Sequence, residues 1–170
     1  MVMTPSGSTA NLDGSMAYLS PDTISWTDAI IRIGSAFLFP LLLGFERFLR
    51  RKPIDFRPFV IISVGACALV IGIMEFAENI TDPQFRIDPS RILEGVITGI
   101  GFLGAGAMFR KGAFVQGAGS AASIWVAGVI GLVSGMGQIW LAACITAIVL
   151  ALLFFSGPFT DDYDPRHNID

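Results

Sequence analysis

Charge is what this sequence has least of. Asp, Glu, Lys and Arg supply 15% of its 170 residues, against roughly 25% in an ordinary soluble domain. A soluble chain of this size would lack the polar side chains to cover its own surface. The formal charge of −3 and a pI near 5.0 leave no basic face, which excludes a nucleic-acid binder. Histidine occurs once, as His167, and cysteine twice, as Cys67 and Cys144. Both cysteines lie within apolar runs and read as small buried hydrophobes, not as a disulfide or metal pair. The first 23 residues contain no Lys or Arg and no apolar centre, so they lack the parts of a signal peptide. Nucleophile motifs, Cys clusters and phosphate-binding loops are also missing. The expectation is a protein that is not an enzyme and carries no cofactor.

What the chain does have is long apolar runs, and 53% of its residues are hydrophobic. Five runs stand out: Ile24–Phe45, Phe59–Ala77, Ile92–Phe109, Ala118–Met136 and Ile139–Phe155. Each suits a hydrocarbon core about 30 Å thick at a helical rise of about 1.5 Å per residue. The fold class expected is all-α, an integral membrane bundle of about five transmembrane helices. Gly137-Gln138 alone separates the last two runs, which calls for a tight helical hairpin. Three regions follow: residues 1–23 as a disordered polar tail, 24–156 as the transmembrane domain, and 157–170 as an acidic tail. In that last segment Asp161, Asp162, Asp164 and His167 are better read as a solvated run than as a chelating group.

The basic residues orient the bundle. Arg47, Arg50, Arg51, Lys52 and Arg57 cluster after the first run, and Arg110 and Lys111 after the third. The second loop mixes Arg86 and Arg91 with Glu78, Asp82 and Asp88. This pattern places the N-terminus outside, the first and third loops in the cytoplasm, and the C-terminus inside.

Gly99-Ile100-Gly101-Phe102-Leu103-Gly104 satisfies the dinucleotide pattern GxGxxG, but it lies inside an apolar run with no preceding strand, and that reading is rejected. In a membrane, glycines instead let helix backbones approach. Gly95 and Gly99 form one GxxxG and Gly131 and Gly135 another. Gly119, Ser123, Ala127, Gly131 and Gly135 recur at every fourth position and form a groove. Packing inside the bundle is the leading account of that groove, with homodimer contact or a thin-walled conduction path as alternatives.

Several of these residues together resemble the membrane domain of the MgtC/SapB family. Gly44-Phe45-Glu46-Arg47 closes the first run, and Asp88-Pro89-Ser90-Arg91-Ile92 leads into Gly99-Ile100-Gly101-Phe102-Leu103-Gly104-Ala105-Gly106. Val115, Gly117, Ala121-Ala122, Trp125 and Gly131 follow in matching order, so the likeness runs from about Arg32 to Phe155. The resemblance implies a five-helix bacterial inner-membrane protein linked to magnesium limitation, with a historical magnesium-transport label and a regulatory role for some members. The chain departs from the pattern at Gly95, where many members have Gln, at Gln116, where many have a basic residue, and at Ala118-Gly119-Ser120. Many members continue into a cytoplasmic ACT-like domain, for which no room is expected after Phe155.

Ionisable groups at membrane depth are functional suspects. Arg32 lies about eight residues into the first run, or ~12 Å of helix. Asp28 precedes it by one turn, and Arg91 and Glu94 share similar spacing. Salt bridges Asp28–Arg32 and Arg91–Glu94 are the plainer reading of these pairs. A carboxylate vestibule that attracts Mg2+ is the other, since hard cations prefer oxygen ligands. Glu46 opposes the macrodipole at the end of its helix, and Arg47 or Arg50 is expected to offset it. Functional candidates are therefore Arg32, Glu46, Arg47, Arg91, Glu94, Gly99, Gly101, Gly104, Gly106 and Trp125. The partners expected are the lipid bilayer and either a second copy in a homo-oligomer or another membrane protein. Two function classes remain: a regulatory protein acting through helix–helix contacts, or a small cation transporter or channel.

Overall fold

The computed structural model describes residues 21, 23–49, 56–78, 88–111 and 114–161; within them the side chains of 46–49, 109–111, 114–116 and 156–161 lie outside the description. The described residues form five helices: α1 (Trp26–Leu49), α2 (Arg57–Glu78), α3 (Pro89–Gly106), α4 (Ala118–Gly135) and α5 (Ile139–Asp161). These are the five helices expected from the apolar runs, in an all-α membrane bundle. Trp26–Phe45, Arg57–Glu78 and Ala118–Gly135 are long and apolar enough to cross a membrane, and Ile139–Phe155 is a shorter apolar segment. α3 has the length of a span but is diluted by Arg91, Glu94 and five glycines.

Local chemistry sets the ends. Ser25 precedes α1, where its Oγ accepts from the Asp28 N–H at 3.1 Å and donates to Asp28 Oδ2 at 2.9 Å. Ser25 thus caps the helix N-terminus, and the Asp28 carboxylate holds the capping hydroxyl in place. α3 starts at Pro89, a residue suited to a first turn whose N–H groups have no partner anyway, and Asp88 caps it by accepting from the Ser90 N–H at 3.0 Å.

The run expected to stay helical to Phe109 stops at Gly106. The chain instead makes an antiparallel hairpin of β1 (Phe109–Lys111) and β2 (Phe114–Gln116), pairing Phe109 with Gln116 and Lys111 with Phe114. Gly117 then returns the chain across the end of α3 at φ +92°, where a Cβ would overlap the Ala107 carbonyl. Only glycine meets both demands.

α4 packs against each of the other four helices. Small residues permit this central position. A Cβ at Gly131 would overlap the Ser63 carbonyl of α2, and one at Gly128 would overlap Ile100 of α3. At Gly135 it would lie 2.8 Å from Val70 Cβ and 2.9 Å from the Cys67 carbonyl. Ser123, Ala127, Gly131 and Gly135 are buried while Gly119 is exposed, so nearly all of the groove is spent on packing within one chain. Around this seam two apolar clusters form. Leu43, Ile130 and Ala142 join α1, α4 and α5, and Ala66, Val70 and Leu132 join α2 and α4 with Leu93 and Val96 of α3 against them.

Candidate functional site

The membrane-depth cation is placed by the turn between α4 and α5. Met136 accepts the role of C-cap, Gly137 follows at φ +81°, and its N–H donates to the Ser134 carbonyl at 2.9 Å. The Gln138 N–H reaches back to the Val133 carbonyl, also at 2.9 Å. Together these bonds form a Schellman motif. The motif leaves the Gly135 carbonyl open, and Arg32 Nη1 donates to it at 2.8 Å. Nη1 also lies 3.9 Å from Met74 Sδ. A Cβ at residue 137 would sit 3.1 Å from Arg32 Nη2, so the glycine makes room for the guanidinium as well as for the turn.

The expected Asp28–Arg32 salt bridge is therefore corrected. Asp28 is held by Ser25, and Arg32 turns to the negative end of α4, where a cation complements the macrodipole. A half-buried arginine on α1 thus clamps the hairpin of α4 and α5. On the same level, Glu75 of α2 accepts from the Thr23 and Ile24 N–H groups at 3.1 and 3.3 Å, which ties the entry of α1 to α2.

The expected Arg91–Glu94 pair is corrected too. Arg91 Nε lies 3.9 Å from Asp88 Oδ2, one turn back, with both side chains largely in the open. The hydroxyl and backbone N–H of Ser90 hold the Asp88 carboxyl below the usual carboxylate range. Glu94 is exposed, and among the described residues no hydrogen bond or ion pair reaches it.

The glycine candidates separate. Gly104 faces the bundle, where a Cβ would lie 3.3 Å from the Ala121 carbonyl. Gly99, Gly101 and Gly106 have nothing within 4 Å of that position. Trp125 is 44% exposed on the flank of α4. The side chains of Glu46 and Arg47 lie outside the described residues. Cys67 is buried as expected, but Cys144 is exposed on α5, contrary to the reading of both as buried.

The sequence reading missed Ser63 and Ser134, whose hydroxyls are buried without a hydrogen-bond partner. They stand on the two sides of the α2–α4 seam, Ser63 beside Gly131 and Ser134 one turn beyond it. Ser35, Ser123 and Thr146 instead donate to carbonyls of their own helices, at 2.7–2.8 Å. Serine in an apolar run gives no sign of which course it will take. Among the described residues, no group of three or more His, Cys, Asp or Glu side chains comes together.

These features define a membrane helix bundle closed by small residues around one central helix and pinned at one end by an arginine. The chain belongs to the MgtC family, whose profile matches residues 33–161. It is 33% identical over 120 residues to "Protein MgtC" of Brucella abortus (strain 2308), covering 71% of this chain and 48% of that one. Against "Protein MgtC" of Salmonella typhimurium (strain LT2) it is 34% identical over 121 residues, covering 71% and 49%. Against "Protein SapB" of Bacillus subtilis (strain 168) it is 34% identical over 120 residues, covering 67% and 51%. The chain spans about half the length of the curated relatives it matches. No solved structure matches it.

Proposed function

We propose that this chain is a regulatory protein of the bacterial inner membrane, linked to magnesium homeostasis and acting through contacts of its helices. Its N-terminus lies outside and its C-terminus in the cytoplasm. The supporting observation is the α2–α4 seam. A cation path needs polar groups continuing through the bundle, whereas here α4 meets the backbone of α2 at Gly131 and Gly135, and the Ile100 side chain of α3 closes on Gly128. Of the buried hydroxyls among the described residues, Ser35, Ser123 and Thr146 are already bonded to carbonyls of their own helices, which leaves only Ser63 and Ser134 at the seam, too few to continue across the bundle. The acidic residues Glu75 and Asp88 are engaged by backbone N–H groups and not grouped around a common point.

The test pairs two measurements. A deletion strain carrying this gene on a plasmid is grown at limiting magnesium, and the purified chain is reconstituted in liposomes for Mg2+ uptake. Restored growth without uptake above empty liposomes is expected. Mg2+ uptake that saturates with concentration overturns the regulatory reading in favour of transport.

A further inference from the structure

The outer face of α3 is composed unlike the other exposed faces of the bundle. α3 turns Leu93, Val96, Ile100 and Gly104 inward. At ~100° per residue, the side directly opposite carries Arg91, Thr98 and Phe102, flanked by Glu94 and Gly95. All five are exposed. Where other helices face outward they show large apolar groups, such as Ile30, Ile33 and Phe37 on α1 or Ile148, Leu152 and Phe155 on α5. That is the composition lipid favours. A stripe holding a cation, an anion and a hydroxyl does not fit lipid, where each polar group left unbonded is costly.

We infer that this face of α3 is covered by the same face of a second copy of the chain, about a two-fold axis along the bilayer normal. This rests on the contact-based reading above and names its surface and partner. Charge complementarity selects a second copy over an unrelated helix. Arg91 and Glu94 have opposite signs and lie one turn apart on one face. A two-fold axis therefore sets each copy's Arg91 beside the other's Glu94, twice over. The face is its own complement, as an isologous contact requires. The open backbone at Gly95, with nothing within 4 Å of the missing Cβ, admits the approaching helix. Thr98 and Phe102 continue the contact deeper, and Phe102, 79% exposed in the single chain, gains a partner there.

The experiment uses two differently tagged full-length copies co-expressed and purified through one tag. With Arg91→Glu in both copies, or Glu94→Arg in both, like charges face each other, and co-purification is expected to fall at least fivefold below wild type. With Arg91→Glu in one copy and Glu94→Arg in the other, both pairs are opposite in sign again, one reversed and one as in the wild type, and co-purification returns to the wild-type level. A salt bridge within one chain cannot give that rescue. In a Cys144→Ala background, Thr98→Cys should form an oxidant-induced adduct of twice the chain mass, and Gly95→Leu should abolish it. Gly95→Leu meets no atom of its own chain near the new Cβ, so the protomer's melting temperature should hold. Absence of rescue in the mixed pair, or an adduct of any other mass, overturns the second copy as occupant. Neither result bears on the regulatory reading, which falls only on Mg2+ uptake in liposomes.

Discussion

Adding one methyl group at four glycines tests the packing most directly, because the effects should differ in sign. At Gly131 the added Cβ overlaps the Ser63 carbonyl, and both partners are helix backbone that cannot turn aside. At Gly135 it lies 2.9 Å from the Cys67 carbonyl, about half an ångström inside the 3.4 Å at which ordinary contact begins. At Gly104 the Ala121 carbonyl stands at 3.3 Å, a shortfall that a small shift removes. At Gly65, two residues from Ser63 on the open side of α2, nothing lies within 4 Å. Overpacking costs about 1–3 kcal/mol and more when backbone must move. Gly131→Ala should therefore lose about 3 kcal/mol, Gly135→Ala about 1–2, and Gly104→Ala less than about 1. Gly65→Ala should gain about 0.5–1 kcal/mol, because alanine gives up less backbone freedom in a helix. Reversible unfolding in detergent, followed by circular dichroism, measures the order. Equal losses at Gly65 and Gly131, or no loss at Gly131, would show that α2 and α4 do not meet backbone to backbone.

The Arg32 clamp should be costly to remove. Arg32→Met gives up a hydrogen bond from a charged donor and should destabilise by about 1.5–3 kcal/mol in the same assay, with Arg32→Lys recovering part of it. The Asp88 cap carries a pH signature. Its carboxyl is held below its ordinary value, so its contribution is complete above the unfolded value near 3.9 and disappears as pH falls through the lower folded value. Asp88→Asn keeps an acceptor at the cap. The stability difference between wild type and Asp88→Asn should therefore be flat above about pH 5 and vary only below about pH 4. For orientation, Ser8→Cys should react with an impermeant thiol reagent added to intact cells and Arg51→Cys should not. Equal labelling of the two refutes the assigned topology.

The helices were legible because each carries its own signal: an apolar run long enough for a bilayer, bounded by polar or glycine residues. The α4–α5 turn was legible for the same reason, with Gly137-Gln138 between two runs. The hairpin at Phe109–Gln116 was not. Its strands are three residues each, too short for alternation to register, and the third apolar run ran into it without a break. Gly112-Ala113 between Lys111 and Phe114 was the available sign, since a two-residue loop opening with glycine suits a hairpin. The partner of Arg32 was hidden for a different reason. Spacing along one helix proposed Asp28, four residues away, while the actual acceptor is a backbone carbonyl 103 residues later, which side-chain patterns do not mark. Ser25-x-x-Asp28 could have been read as a helix cap, which would have withdrawn Asp28 from the pair. For Arg91, the same helical spacing pointed forward to Glu94, whereas the closer carboxylate was Asp88, one turn back.

The central place of α4 also fixes an order of events during synthesis. Following α1, α2 and α3 in the chain and the common neighbour of the other four described helices, it cannot meet those three until they are already in the bilayer. Until then the grooves that will receive Gly128 and Gly131 face lipid, and Arg32 waits without the Gly135 carbonyl. A guanidinium at that depth is drawn to the interface. α1 must therefore enter with its arginine drawn toward the nearer membrane surface and settle only when α4 brings its C-terminal end alongside. Closure of the bundle is in this sense a late event, timed by the arrival of one helix.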